Sequence, residues 1–246
     1  MRYYVKTKKG SILPKRKKIY LKFLGGAILA CGLFILSYFF FPLVSYQLFL
    51  AQAFEQSSIE VPIPKYLVLN RANPISDLIG QGIASLSRDY TDARNWYPQV
   101  KSTIAQETPI DHYNISIPFL KIDNAEVSTK DYDLSRHLVQ YFGTALPGEK
   151  GTAVIFGHST LPQWFDPKNY KTIFATLHTV KTGDEILVNV NNVTYKYKIF
   201  LITITGPDDI NMFSQSYDNS YLTLITCTPP GTIWKRLIVR ASLESI

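Results

Sequence analysis

Three residues whose side chains could cooperate in acyl transfer fall where extended chain gives way to a turn. Cys227 closes the run YLTLITC, which begins at Tyr221, and Thr-Pro-Pro-Gly follows at once. His158 closes GTAVIFGH, which begins at Gly151, and Arg236 opens RLIVRASL nine residues after Cys227. A thiol attacks as its thiolate, an imidazole carries protons to and from the reacting groups, and a guanidinium steadies a developing oxyanion. If the strand ending at Cys227 pairs with the one restarting at Arg236, the guanidinium returns alongside the sulfur. Residue type alone leaves a plainer reading open for each: a free cysteine is commonly a small buried apolar residue, and a histidine a hydrogen-bonded loop residue. His112, His137 and His178 lack the strand-end context and read as structural or surface groups. Arg240 shares a strand face with Arg236, roughly 13 Å further on, and reads as a surface ion-pair partner.

The elements that must hold these groups are strands. From Asp111 onward, YNISIPFLKID, GTAVIFGH, EILVNVN, VTYKYKIFLITIT, YLTLITC and RLIVRASL are separated by Pro-Gly, Lys-Thr-Gly-Asp and Pro-Pro-Gly turns. Short strands at this spacing indicate an all-β sandwich or barrel over residues 109–246. Pro118 marks an edge or a bulge. Helical stretches are expected at Tyr132–Tyr141 and Tyr170–Leu177.

The rest of the 246 residues divides by charge and hydropathy. Nine of the 26 Lys and Arg precede Glu55, the first acidic residue, so residues 1–54 carry +9 and the remainder, with 17 basic and 19 acidic residues, carries −2, which together give the net +7. A basic tail is not a basic face, and nucleic-acid binding loses its main support. Residues 1–22 read as a cytoplasmic basic tail and 23–42 as a transmembrane signal anchor. The uncharged run from Phe23 to Phe41 gives about 30 Å of helix, enough for the hydrocarbon core, and Pro42 is expected to end or kink it. Flanking lysines place the N-terminus in the cytoplasm and the rest outside, giving a single-pass protein of the cell membrane. Ala51-Gln52-Ala53 resembles a signal-peptidase site, but the apolar stretch far exceeds the ~7–15 residues of a signal peptide. Residues 43–108 read as an extracytoplasmic spacer, with a helix around Ile79–Leu86. The two cysteines, Cys31 and Cys227, lie one in the apolar run and one near the C-terminus, which disfavours a disulfide, and no zinc-ligand spacing occurs.

Taken together, the motifs resemble one family. TLITC followed by TPPGTIWKR, ending in Arg236, resembles the sortase signature, and the step from Cys227 to Arg236 is similar to that of class C and class D sortases. GTALPGEKGTAVIFGHS, Gly143 to Ser159, resembles the segment leading to the family's histidine. YNISIPFLKID resembles its first barrel strand, and LHTVKTGDEILV the step after the histidine loop. The likeness implies an eight-stranded sortase-type β-barrel with short helices, following the membrane helix, with 109–246 as its catalytic domain. It implies Cys227 as nucleophile, His158 as general acid/base and Arg236 as partner of substrate and oxyanion. Implied partners are exported proteins with an LPXTG-like C-terminal sorting signal, and an amine acceptor from cell-wall precursor or a pilin lysine. A thioacyl-enzyme joins the two steps, without metal or organic cofactor. Pilin polymerisation by the same chemistry and a non-catalytic surface β-barrel are the alternatives. Two departures stand out. LPQWFDPKNYKTIF, 161–174, lengthens the loop after His158 and reads as an acceptor-cleft wall, a flap or plain padding. No Asp-Pro-aromatic lid motif precedes the barrel; Asp166-Pro167 follows His158 instead.

Overall fold

The computed structural model describes residues 15–45, 89–97 and 109–244, in two units that divide after Ser45. The first is a single helix, α1 (Lys15–Ser45). It runs three residues past Pro42, so of the two outcomes expected there, an end or a kink, the end does not occur. Leu24, Ile28, Leu33, Phe34 and Phe41 are all exposed on it. Among the described residues no helix is long and apolar enough to cross a membrane. The crossing read at 23–42 therefore rests on the sequence. The helix expected around Ile79–Leu86 lies outside the described residues.

The second unit is a closed barrel of eight strands: β1 (His112–Ile117), β2 (Ile122–Ser128), β3 (Leu138–Gln140), β4 (Gly151–Phe156), β5 (Glu185–Val190), β6 (Val193–Thr205), β7 (Ser220–Thr228) and β8 (Lys235–Leu243). Around the barrel the order is β1-β2-β3-β4-β7-β8-β6-β5. The pairs β2–β3 and β4–β7 are parallel; β7–β8 and β6–β8 are antiparallel. Strand alternation puts Ile115, Val127, Ile155, Val188, Tyr197, Leu224, Leu237 and Val239 into one interior core. The bulge suggested by Pro118 falls just before it, between Ile115 and Ile117.

Strands β4 and β7 are buried on both faces; β4 accordingly runs almost continuously apolar, whereas β7 also buries Ser220, Thr223, Thr226 and Thr228. Their outer face lies under a second core of Trp96, Tyr97, Leu134, Tyr141, Phe156, Met212, Ile225, Cys227 and Ile238. Part of the stretch read as a spacer thus belongs to the globular unit: residues 89–97 pack on the barrel wall. Neither helix expected inside the barrel region forms. Tyr132–Tyr141 holds turns and β3 instead, because Leu138 enters the barrel interior while Leu134 and Tyr141 join the outer core. At 170–177 the chain makes turns that lead into a 3-10 helix, Leu177–Thr179, because the Phe174 amide donates to the His158 carbonyl at 3.0 Å.

Candidate active site

The β7–β8 ladder sets Cys227 directly opposite Arg236. Side chains so paired lie on one face with Cβ atoms about 4.5–5.5 Å apart. The parallel register of β4 on β7 pairs Phe156 with Ile225, and Gly157 keeps that alignment. The Gly157 amide donates to the Ile225 carbonyl at 3.2 Å, and the Thr226 hydroxyl donates to the Gly157 carbonyl at 2.7 Å. His158 therefore leaves the strand level with Cys227. Only glycine fits before it: a Cβ on Gly157 would lie 2.4 Å from the Phe174 ring and 2.7 Å from Leu138. The structure thus brings Cys227, His158 and Arg236, the three residues singled out from the sequence, to one end of the barrel.

A cover lies over them. Residues 89–97 carry a 3-10 turn, Ala93–Trp96, capped by Asp92, whose carboxylate accepts from the Arg94 amide. The Ala93 amide donates to the Tyr132 carbonyl at 2.9 Å and the Leu134 amide to the Thr91 carbonyl at 2.8 Å, so the segment pairs with the loop before β3. The Trp96 indole, tied to the Tyr90 carbonyl at 2.9 Å, has its ring centre 5.1 Å from the Arg236 Cζ and 6.0 Å from the His158 ring. The Tyr97 ring lies 5.8 Å from the same Cζ. Arg236 is 1% exposed and Cys227 5% exposed.

Burial sets the electrostatics. It raises the Cys227 thiol above its ordinary pKa, against the pull of the Arg236 charge. It lowers His158 below its ordinary value, with Lys171 acting the same way and Asp89 and Asp133 opposing. In the covered form both groups are therefore neutral over a wide range around pH 7. Tyr97 is likewise raised, by burial first, while the nearby guanidinium opposes. A buried guanidinium usually demands a carboxylate, yet none of the ion pairs among the described residues involves Arg236. Its Nη1 donates to the Ile233 carbonyl at 3.0 Å and the Lys235 carbonyl at 3.2 Å, and two aromatic faces meet the rest.

Two loops frame the site. A Cβ on Gly231 would approach Leu161 to 3.1 Å, so the loop after His158 touches the loop before β8. Each carries an exposed indole, Trp164 and Trp234. The other half of the lengthened loop is no appendage: Ile173 and Phe174 fill the barrel core, and the Tyr170 hydroxyl accepts from the Glu126 amide at 2.9 Å. Among the described residues Arg240 forms no ion pair, contrary to expectation; it lies 5.8 Å and 5.9 Å from the rings of Phe200 and Tyr221. Trp96 and Tyr97 went unnoticed in the sequence. The signal available was two adjacent large aromatics following an Asp-capped turn, without the Asp-Pro-aromatic pattern.

A profile of the sortase domain matches residues 109–244, more than half of the chain. The chain belongs to the sortase family. The members of that family are cysteine transpeptidases, and the paired Cys227 and Arg236 lie within the matched sortase region. A sortase A from Streptococcus agalactiae is 32% identical over 74 residues, which is 30% of this chain and 30% of that protein; the match spans under a third of that relative's length. The structure of a Clostridium perfringens sortase D5 transpeptidase is 27% identical, with a TM-score of 0.46, over 55% of this chain and 79% of that one. The fold is shared with Streptococcus agalactiae sortase C1, solved in complex with MTSET, at 22% identity and a TM-score of 0.50 over 70% of this chain and 89% of the other.

Proposed function

We propose that this sortase cleaves an LPXTG-like sorting signal on an exported protein and transfers the acyl group to a primary amine at the cell surface. The observation that carries the reading is the ladder pair Cys227–Arg236, with His158 held at the same level by the Gly157–Ile225 and Gly157–Thr226 bonds.

The chemistry follows from the three groups. The Cys227 thiolate adds to the carbonyl carbon of the scissile Thr–Gly bond, and the oxygen becomes an oxyanion beside the Arg236 guanidinium. Collapse of that adduct expels the glycine nitrogen, which takes a proton from the His158 imidazolium and leaves as an amine. A thioester now joins the donor to Cys227. The acceptor amine adds to the thioester carbon, gives a proton to His158, and the thiolate departs with the new amide complete. A thioester favours this sequence because it keeps its acyl-transfer potential until an amine arrives. Since Cys227 and Arg236 lie beneath Trp96 and Tyr97, residues 89–97 must move aside before a peptide can enter.

Helix α1 is the anchor in this reading. Its uncharged run from Phe23 to Phe41 and its basic N-terminal flank support a cytoplasmic tail, one crossing and an external barrel. Large apolar side chains exposed along the helix suit lipid surroundings. The test uses the full chain in detergent with quenched LPXTG-type peptides, with and without hydroxylamine or triglycine. Cleavage that rises with the amine and disappears in Cys227→Ala supports the reading. Equal rates for wild type and Cys227→Ala would refute it.

A further inference from the structure

Among the described residues, two buried polar atoms at the Cys227 end of the barrel have no hydrogen-bond partner: Nε of Arg236 and Oγ1 of Thr205. They belong to residues paired directly across β6 and β8. Thr205 therefore stands on the same face as Arg236, on the side away from Cys227, with Cβ atoms about 4.5–5.5 Å apart. One atom is a committed donor and the other an acceptor. Leaving either buried and unmet costs free energy.

The reason they are unpaired is visible in what holds the guanidinium. Nη1 is tied to the Ile233 and Lys235 carbonyls, and Trp96 and Tyr97 take the cation on their rings. The Tyr97 hydroxyl is also buried and lies near enough to feel the guanidinium charge. The covered arrangement thus meets Arg236 through ring faces and two carbonyls and leaves its Nε and the Thr205 hydroxyl unmet.

We infer that Thr205 is a positioning residue: once residues 89–97 lift, the Thr205 hydroxyl accepts from Arg236 Nε and fixes the guanidinium for the Cys227 carbonyl adduct. The bond exists only in the uncovered form, so it offsets part of the stabilisation that the two aromatic rings give the covered one. Thr205 acts through Arg236 and does not touch the reacting atoms. The catalytic part of this inference rests on the proposed transpeptidation; the uncovering part does not.

The two parts separate in one experiment on the full chain in detergent, comparing Thr205→Val and Thr205→Ser with wild type. Iodoacetamide labelling is followed at Cys227 by peptide mapping, because Cys31 is also a free, exposed thiol. Loss of one hydrogen bond from the uncovered form slows Cys227 labelling about five-fold in Thr205→Val, and Thr205→Ser restores the wild-type rate. In a Trp96→Ala background, where the cover is already loosened, Thr205→Val leaves labelling unchanged but lowers kcat for peptide cleavage, with KM little altered. A merely structural Thr205 gives the opposite sign, because loosening the wall speeds labelling. Faster or unchanged labelling in Thr205→Val, or failure of serine to rescue, overturns the inference even if peptides are cleaved. If labelling behaves as expected but wild type cleaves no peptide, the transpeptidase reading fails and the part of the inference concerning catalysis falls with it.

Discussion

The Trp96 indole lies over the Arg236 guanidinium, 5.1 Å from ring centre to Cζ, and the same ring reaches His158 at 6.0 Å. One side chain therefore covers the cation and the imidazole together, and with Tyr97 it seals Cys227 from solvent. The cover is fastened by aromatic burial, a cation–π contact and the backbone pairing to the loop before β3.

Trp96→Ala removes the largest part of that fastening. Labelling of Cys227 by iodoacetamide is expected to accelerate roughly ten- to a hundred-fold, the scale set by removing a desolvated cation–π interaction together with part of the apolar burial. Mapping the labelled peptide over time measures it. An unchanged rate would show that 89–97 does not limit access to the thiol.

The pH dependence of kcat/KM is expected to be a broad bell. The nucleophile must be thiolate and the imidazole protonated, so the active fraction depends on both pKa values. Burial moves Cys227 up and His158 down, which pushes the alkaline limb above the usual thiol range and the acid limb below the usual imidazole range. Trp96→Ala, by admitting water, moves the alkaline limb down and the acid limb up. The comparison is one of cleavage rates from pH 5 to 10; limbs that move apart in the variant would contradict the assigned cause.

Much of this site was legible in the chain, for local reasons. The nine-residue step from Cys227 to Arg236 makes a hairpin, and a hairpin register is set by neighbours in sequence. The demand for glycine at 157, by contrast, comes from Phe174 and Leu138 and was not read from the chain. What could not be read is non-local. Leu134, Leu138 and Tyr141 recur at helical spacing, yet they serve two different cores, so the periodicity was accidental. Strands β4 and β7 lie side by side although β5 and β6 come between them in the chain, and no local pattern announces that. Trp96 and Tyr97 sit in a largely polar stretch, and their burial comes from the barrel wall and from loop residues such as Phe213, distant in sequence.

Gly157→Ala tests how tightly the histidine is placed. The added methyl meets the Phe174 ring at 2.4 Å, and overpacking of this kind costs about 1–3 kcal/mol. A lowered Tm together with reduced cleavage is expected, since the Gly157 bonds to Ile225 and Thr226 align His158. Full activity at an unchanged Tm would mean that the imidazole is placed by something else.

Arg236→Lys keeps the charge but loses the planar fork that serves two carbonyls and the oxyanion at once. Cleavage is expected to fall about 10²–10³-fold, while Cys227 remains open to alkylation after the cover is loosened by Trp96→Ala. Near-normal cleavage in Arg236→Lys would remove the guanidinium from the mechanism.

The most direct measurement is the intact mass of the full chain after brief exposure to an LPXTG-type peptide without added amine, quenched in acid. The expected result is one adduct equal to the peptide acyl portion up to threonine, located on Cys227, released by hydroxylamine and absent in Cys227→Ala. An unmodified Cys227 in a preparation that nevertheless cleaves the peptide, or an adduct on another residue, would contradict the thioacyl mechanism.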